Sequence, residues 1–324
     1  MNKLKWLIKR ELWEHKGMLV WTPVAIGALM TALAGAMLLL SNAGARFQGQ
    51  LMINGQVTDL QHLGGLLHGG VAADVAAVLA KHYLDGSIAL FMVMGILIFF
   101  YCLSALHSDR EDRSLLFWKS LPISDRVTVV SKLVLALVVA PLITIGVATA
   151  SALLILIILV LTMSAKHFHV IAPLLANSEL YLGPLRLLSV WPVYFLWALP
   201  TVGWLLMVSA WARSKVFLWA VGAPLLVALL GLWVQRTLEP ALNIGWYLRH
   251  IVGRLLLGLI PGAWFMPGSR GDRMLSGGLG DPSLSSLSGS AWEVLAQPSL
   301  WLGVAAGTLM LYAAVRLRRW RDGS

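Results

Sequence analysis

Apolar residues in this chain collect into six long runs instead of recurring at the two- or 3.6-residue period of a soluble strand or helix. The runs are approximately Leu19–Leu40, Gly86–Leu106, Leu133–Met163, Leu187–Trp211, Val216–Val234 and Ser299–Val315. Each reaches about 17 residues or more, enough for a helix to cross the ~30 Å hydrocarbon core of a bilayer. The third is longer than a bilayer needs and contains Pro141, which predicts a kink or an extension beyond the headgroups. Trp21, Trp191, Trp211, Trp233, Trp301 and Trp320 lie at or near the ends of runs, where an amphipathic indole is best accommodated.

The segments between the runs are unequal. In residues 1–17, Leu4, Leu7, Ile8 and Leu12 recur at helical spacing, Trp6 and Trp13 flank that face, and Lys3, Lys5, Lys9 and Arg10 lie elsewhere. This is the pattern of a basic amphipathic helix in the headgroup layer, with Trp6, Lys9, Arg10 and Trp13 as its interfacial set. The plainer alternative is a basic leader that only orients the first span. Residues 41–85 form a Gly-rich, mildly polar loop, and VAADVAAVLAKHYL within it has the pattern of a short helix. In residues 235–298, LNIGWYLRHIVGRLLLGLIPGAWF is apolar but broken by glycines, Pro261, Arg249 and Arg254. Two arginines make a full span expensive, so this stretch predicts two short re-entrant or interfacial helices. The segment after it, PGSRGDRMLSGGLGDPSLSSLSGS, has the composition of a loop.

Composition agrees with the pattern. Hydrophobic residues are 58% of the 324 and charged residues 12%, against about 25% charged in a typical soluble domain. The expectation is an all-α polytopic membrane protein, a single transmembrane domain over 1–324. The charged residues of the leader are interleaved with Leu, Trp and Ile, unlike a secretory signal peptide. The one cysteine, Cys102, sits in an apolar run and supports neither a disulfide framework nor a metal cluster.

The net charge of +10 is better explained by retention of Lys and Arg on the cytoplasmic side than by a nucleic-acid partner. With the N-terminus inside, Lys3, Lys5, Lys9, Arg10 and Lys16 are cytoplasmic. So are Arg110, Arg113, Lys119, Arg126 and Lys132 after the second run, Arg213 and Lys215 after the fourth, and Arg316, Arg318, Arg319 and Arg321 at the tail. These are sixteen of the 25 basic residues, and both termini are then cytoplasmic, with 41–85 and 235–298 external.

Much familiar chemistry is missing. The six runs contain no Asp, Glu, Lys, Arg or His, which argues against a proton- or ion-coupled carrier and against an intramembrane hydrolase. The chain has no Gly-x-x-x-x-Gly-Lys-[Ser/Thr] nucleotide loop, so ATP-driven work would come from another polypeptide. His62, His68, His82, His167 and His169 fall in external loops; an external metal site is one reading, and solvated loop residues are the plainer one.

The densest charge lies between the second and third runs, in SDREDRSLLFWKSLPISDRVTVVSK, Ser108–Lys132. Ser108 and Glu111 have capping-box spacing, Asp109 and Arg113 are placed to pair at i,i+4, and Pro122 ends the segment. Ser124 or Asp125 can cap the helix that leads into the third run. The prediction is a short helix displaying acidic, basic and aromatic groups together, suited to docking a protein. Phe117 and Trp118 resting on the membrane surface is the alternative.

This segment resembles the coupling loop of ABC-2 type transporter permeases. That family places an acidic-basic pair, a hydroxyl residue and Leu before a Leu-Pro-[Val/Ile]-Ser segment and a later Lys. Glu111, Arg113, Ser114, Leu115, Leu121, Pro122, Ile123, Ser124 and Lys132 occupy those places. The FWKSLP form is similar to a bacterial subgroup, although Arg113-Ser114 stand where the family often has Gly-Thr.

The resemblance implies six spans, an interface helix over 1–17, a coupling segment over 107–132 and re-entrant helices before span six. It implies a permease, most often an exporter, in a bacterial cytoplasmic membrane, working as a dimer with a second permease subunit, here a second copy. Two copies of a cytoplasmic ABC ATPase would hold the ATP and Mg, and this chain would bind no cofactor and perform no catalysis. The residues meeting the ATPase would be Asp109, Arg110, Glu111, Asp112, Arg113, Leu115, Phe117, Trp118, Lys119, Leu121 and Pro122. A membrane-embedded enzyme with an external His-based metal site, or a membrane anchor or sensor recruiting a cytoplasmic regulator, are the competing readings.

Overall fold

A computed structural model of the chain describes residues 3–42, 50–53, 56–59, 70–111, 124–165, 169–238, 244–263 and 291–321. Among these, six helices are long and apolar enough to cross a membrane: Gly17–Leu40, Ala72–Arg110, Asp125–Ala165, Ser178–Trp211, Leu218–Thr237 and Pro298–Trp320. They coincide with the six apolar runs and are called spans one to six below. The chain is a helical, multi-pass membrane protein.

The helices outlast the apolar runs at their ends. Span three has 41 residues, about 60 Å at 1.5 Å per residue, so it projects well beyond a bilayer core. Span two opens with the helix Gly70–His82, as its Ala-rich pattern predicts, and after a turn and the short stretch Asp85–Ser87 it runs unbroken from Ile88 to Glu111. Ser108 therefore starts no new helix. Its hydroxyl donates back to the Ser104 carbonyl (3.0 Å), four residues earlier on the same helix. A capping box needs an N-cap residue outside the helix, and here the preceding turns persist. After the segment, the helix does resume at Asp125, with Ser124 in extended conformation as its N-cap.

Span four is the central helix and the most buried of the six; spans one, five and six leave most of their surface uncovered. Its buried face runs from Val193 to Ala210 and packs on Ile98, Tyr101 and Cys102 of span two and Leu135 and Leu137 of span three. Small residues set the closest approaches. A Cβ on Gly203 would lie 2.7 Å from the Gly307 carbonyl oxygen, and one on Gly307 would lie 2.8 Å from Pro200 N. Spans four and six therefore cross backbone to backbone, as membrane helices do where both lack side chains.

Prolines shape three spans by one recurring device. Five-residue π turns at Gly17–Trp21, Leu135–Val139 and Leu218–Gly222 each end two residues before a proline: Pro23, Pro141 and Pro224. A proline has no N–H for the carbonyl four residues back and crowds it, and a wider turn relieves that crowding. For Pro141 the orphaned carbonyl is Leu137, and the Trp191 indole N–H donates to it at 2.9 Å. For Pro224 it is Ala220, and the Trp204 indole N–H donates to it at 3.0 Å. Span four thus supplies two tryptophans that complete the broken ladders of its neighbours. Trp191 is not at a span end, because the helix begins at Ser178, nine residues before the apolar run.

Before span six, a short helical stretch covers Ile244–Leu257, with a π turn at Leu248–Val252, and turns follow to Ala263. Its Arg254 stacks on Trp197 with the guanidinium carbon 4.2 Å from the ring centroid, and it donates to the carbonyls of Ser299 (2.6 Å) and Leu300 (3.3 Å). It fits because Gly303 of span six has no side chain there. An antiparallel hairpin, β1 (Gln50–Ile53) with β2 (Gln56–Asp59), lies between spans one and two, pairing Gln50 with Asp59 and Ile53 with Gln56. It was not expected, although Asn54-Gly55 between two β-prone triplets is a recognised hairpin signal.

Candidate functional site

The N-terminal helix and the C-terminal end of span six lie at one end of the bundle, where four helices bring their charges together. The N-terminal helix Lys3–Glu14 has Leu7 and Glu11, one turn apart, as its buried residues. Trp6 and Trp13 are exposed on its flanks, Arg10 pairs with Glu14 (3.3 Å), and Lys16 lies over the Trp13 ring. The face that looks like a plain apolar stripe in the sequence therefore carries a buried carboxylate.

Glu11 is 2% exposed, and Lys132 of span three, 1% exposed, reaches it with Nζ 3.0 Å from Oε1. The same ammonium lies 3.4 Å from Asp109 Oδ1 at the end of span two. Arg318 of span six donates from Nη1 to Asp109 Oδ2 at 3.1 Å. Its Nε lies 3.3 Å from Asp125 Oδ1, an ion pair whose angle makes no hydrogen bond. The Tyr101 hydroxyl donates to the other Glu11 oxygen at 3.3 Å. His15 stands edge-on to Tyr101, 5.0 Å between centroids, with Nε2 3.9 Å from Glu11. Burial keeps the His15 imidazole below its ordinary pKa against the pull of Glu11, so it is neutral at pH 7.

Each buried charge here has an opposite partner within salt-bridge distance, which is the condition under which burial is tolerated. The arrangement is also specific in what it joins. Asp109 stands just before residues 112–123, and Asp125 and Lys132 stand just after them. Lys132 binds the leading flank directly through Asp109. Arg318 bridges the two flanks by meeting both Asp109 and Asp125. Arg110 completes the clamp: it bonds the carbonyls of Ser209 and Ala212 (3.0 Å for the latter), the bare C-terminal end of span four. A cation there also meets the negative end of the helix dipole. Ser209 in turn accepts from the backbone N–H groups of Leu106 and His107 at 3.1 Å.

Of the eleven segment residues singled out in the sequence, Asp109 and Arg110 thus turn their charges into the bundle. Glu111 is the last residue of the span-two helix. Asp112, Arg113, Leu115, Phe117, Trp118, Lys119, Leu121 and Pro122 lie outside the described residues, as does the expected partner of Asp109, Arg113. Sequence reasoning missed Glu11, Arg318 and the inward role of Lys132. The available signal was an acid at i+4 from Leu7, on the apolar face of an otherwise basic helix.

The histidine reading gains no cluster. His82 bonds Asp85 at 2.7 Å, His62, His68 and His167 lie outside the described residues, and no group of three metal-ligating side chains forms among the described ones. No protein-family model, no curated protein and no solved structure matches this chain.

Proposed function

We propose that this chain is the permease subunit of an ATP-driven transporter of ABC-2 type, an exporter in a bacterial cytoplasmic membrane with both termini in the cytoplasm. The chain dimerises with a second permease, here another copy, and two copies of a separate ABC ATPase supply the energy from ATP and Mg. In this reading Lys3–Glu14 is the interface helix, the coupling element falls within residues 112–123, which lie outside the described residues, and Ile244–Leu257 with the turns after it is the re-entrant element.

The observation that carries the reading is the ionic clamp around residues 112–123. A partner that docks on a loose loop moves only the loop. Here Asp109, Asp125, Lys132 and Arg318 tie both flanks of the segment to each other, to the N-terminal helix through Glu11 and to span six. Displacement of the segment is then shared by spans two, three and six at once, which suits an element that receives mechanical work. The motif resemblance of Glu111–Ser124 and the lack of a nucleotide loop in this chain support the same division of labour.

The test is purification of the tagged full chain from its host in mild detergent. A co-eluting protein carrying Gly-x-x-x-x-Gly-Lys-[Ser/Thr] is expected. Combined replacement of Asp112, Arg113 and Trp118 by Ala should weaken that association at least about tenfold, roughly 1.4 kcal/mol, with unchanged membrane yield. Association that survives this replacement sinks the coupling assignment.

A further inference from the structure

At the end of the bundle away from the termini, a cleft opens between spans two, three and four. Its mouth carries Lys81, Glu179 and Arg186, and its walls and floor are apolar, including Met94, Val190 and Tyr194. We infer that this cleft is a binding site for one anionic phospholipid of the adjoining leaflet, head at the mouth and one acyl chain in the depth. The inference stands independently of the transporter reading.

Three observations identify the occupant. The first is length. From Glu179 at the mouth to Tyr194 at the floor is fifteen residues of one helix, about 22 Å at 1.5 Å per residue. Half of a bilayer with its headgroups is also about 20–22 Å, so the stretch of span four that lines the cleft matches the thickness of one leaflet.

The second is the chemistry of the depth. The polar atoms there are already satisfied by the protein: the Tyr194 hydroxyl donates to the Leu259 carbonyl (3.1 Å) and the Trp191 indole to the Leu137 carbonyl (2.9 Å). A polar cargo would find no free donor or acceptor in them, whereas a hydrocarbon chain needs none. Pro261 and Gly262 close the floor, and Gly262 adopts φ 91°, which a side chain would strain.

The third is charge at the mouth. Arg186 gives both terminal nitrogens to Glu179, in a two-pronged pair (2.5 and 2.8 Å). Lys81 is exposed and has no partner among the described residues. Among the described residues one cation is then left over at the mouth, complementary to a single phosphate.

The test uses the full chain in detergent micelles and phosphatidylglycerol bearing a photoreactive group at the end of one acyl chain. Labelling is expected on peptides containing Met94, Ile145 and Val190–Tyr194. Unlabelled phosphatidylglycerol should compete at least about tenfold better than phosphatidylcholine, and inorganic phosphate should not compete. Val190→Trp should abolish the label by filling the cleft. Lys81→Glu, on an exposed residue that leaves folding intact, should remove the tenfold preference for phosphatidylglycerol. Labelling spread over the exposed faces of spans one and five without competition overturns the site. Equal competition by phosphatidylcholine, or an unchanged preference in Lys81→Glu, overturns the anionic head, and competition by inorganic phosphate overturns the lipid.

Discussion

Lys132 and Glu11, 121 residues apart in sequence, meet with Nζ 3.0 Å from Oε1 while each is almost fully buried. Their contact pins the N-terminal helix onto span three. Removing one member leaves the other as a buried charge, and Lys132 also separates Glu11 from Asp109. Such half-broken pairs typically cost about 3–5 kcal/mol, more than the intact pair contributes over an apolar replacement.

Lys132→Met should therefore lower the thermal midpoint in detergent sharply. The double variant Glu11→Gln, Lys132→Met should lose clearly less than the two single losses added together. Additive losses would mean that the two residues are stabilised separately and that the clamp is not one unit.

The indole bonds make a second prediction. Trp191→Phe keeps the ring but leaves the Leu137 carbonyl without a donor in apolar surroundings, a loss of about 1–3 kcal/mol. Pro141→Ala restores a backbone N–H at the position where the helix would normally provide one. In a Pro141→Ala background, Trp191→Phe should cost much less. A double-mutant cycle on melting midpoints measures this, and equal costs in both backgrounds would refute the account of why span three needs Trp191.

These two relationships differ in how far the sequence discloses them. The spans are legible because a bilayer demands about 20 apolar residues in a row, and nothing else in the chain imitates that. Pro141 and Pro224 are equally visible, and each announces an orphaned carbonyl. Which tryptophan answers depends on how span four rotates against its neighbours, and local pattern carries no information on that. The ionic cluster is hidden for a similar reason. Glu11, Asp109, Asp125, Lys132 and Arg318 come from four separate elements, and each looks like an ordinary flank charge until the helices are assembled. Glu11 was the exception that periodicity could have flagged, being on the same face as Leu7. The charged segment itself was legible as a place of interest, and its clamped flanks are what the structure adds.

The crossing of spans four and six gives a steric prediction with an internal control. A methyl at Gly307 meets Pro200 N at 2.8 Å and Pro200 Cα at 2.9 Å, backbone atoms that cannot turn away as a side chain can. Gly307→Ala should cost about 1–3 kcal/mol through forced separation of the two spans. Gly146→Ala on span three meets nothing within 4 Å and should be neutral or stabilising, since alanine is the better helix former. Melting midpoints that fall equally for both would show that the crossing is looser than 2.8 Å implies.

The last prediction concerns pH. His15 lies before the first span, beside Glu11, Glu14, Lys132 and Asp109, and it is held below its ordinary pKa chiefly by burial, with Lys132 adding to that and the carboxylates opposing it. A lowered value in the folded state means that the unfolded chain binds the proton more readily. The stability from a neutral His15 is thus fully present above about pH 6.5, and it is lost as pH falls through the folded-state value. His15→Gln keeps a polar group of similar reach but cannot titrate. The wild-type midpoint should drop between pH 7 and pH 5 by more than that of His15→Gln, and the difference should vanish above pH 7.5. Parallel curves would mean that the carboxylates cancel the effect of burial, so that folding leaves the imidazole's affinity for its proton unchanged.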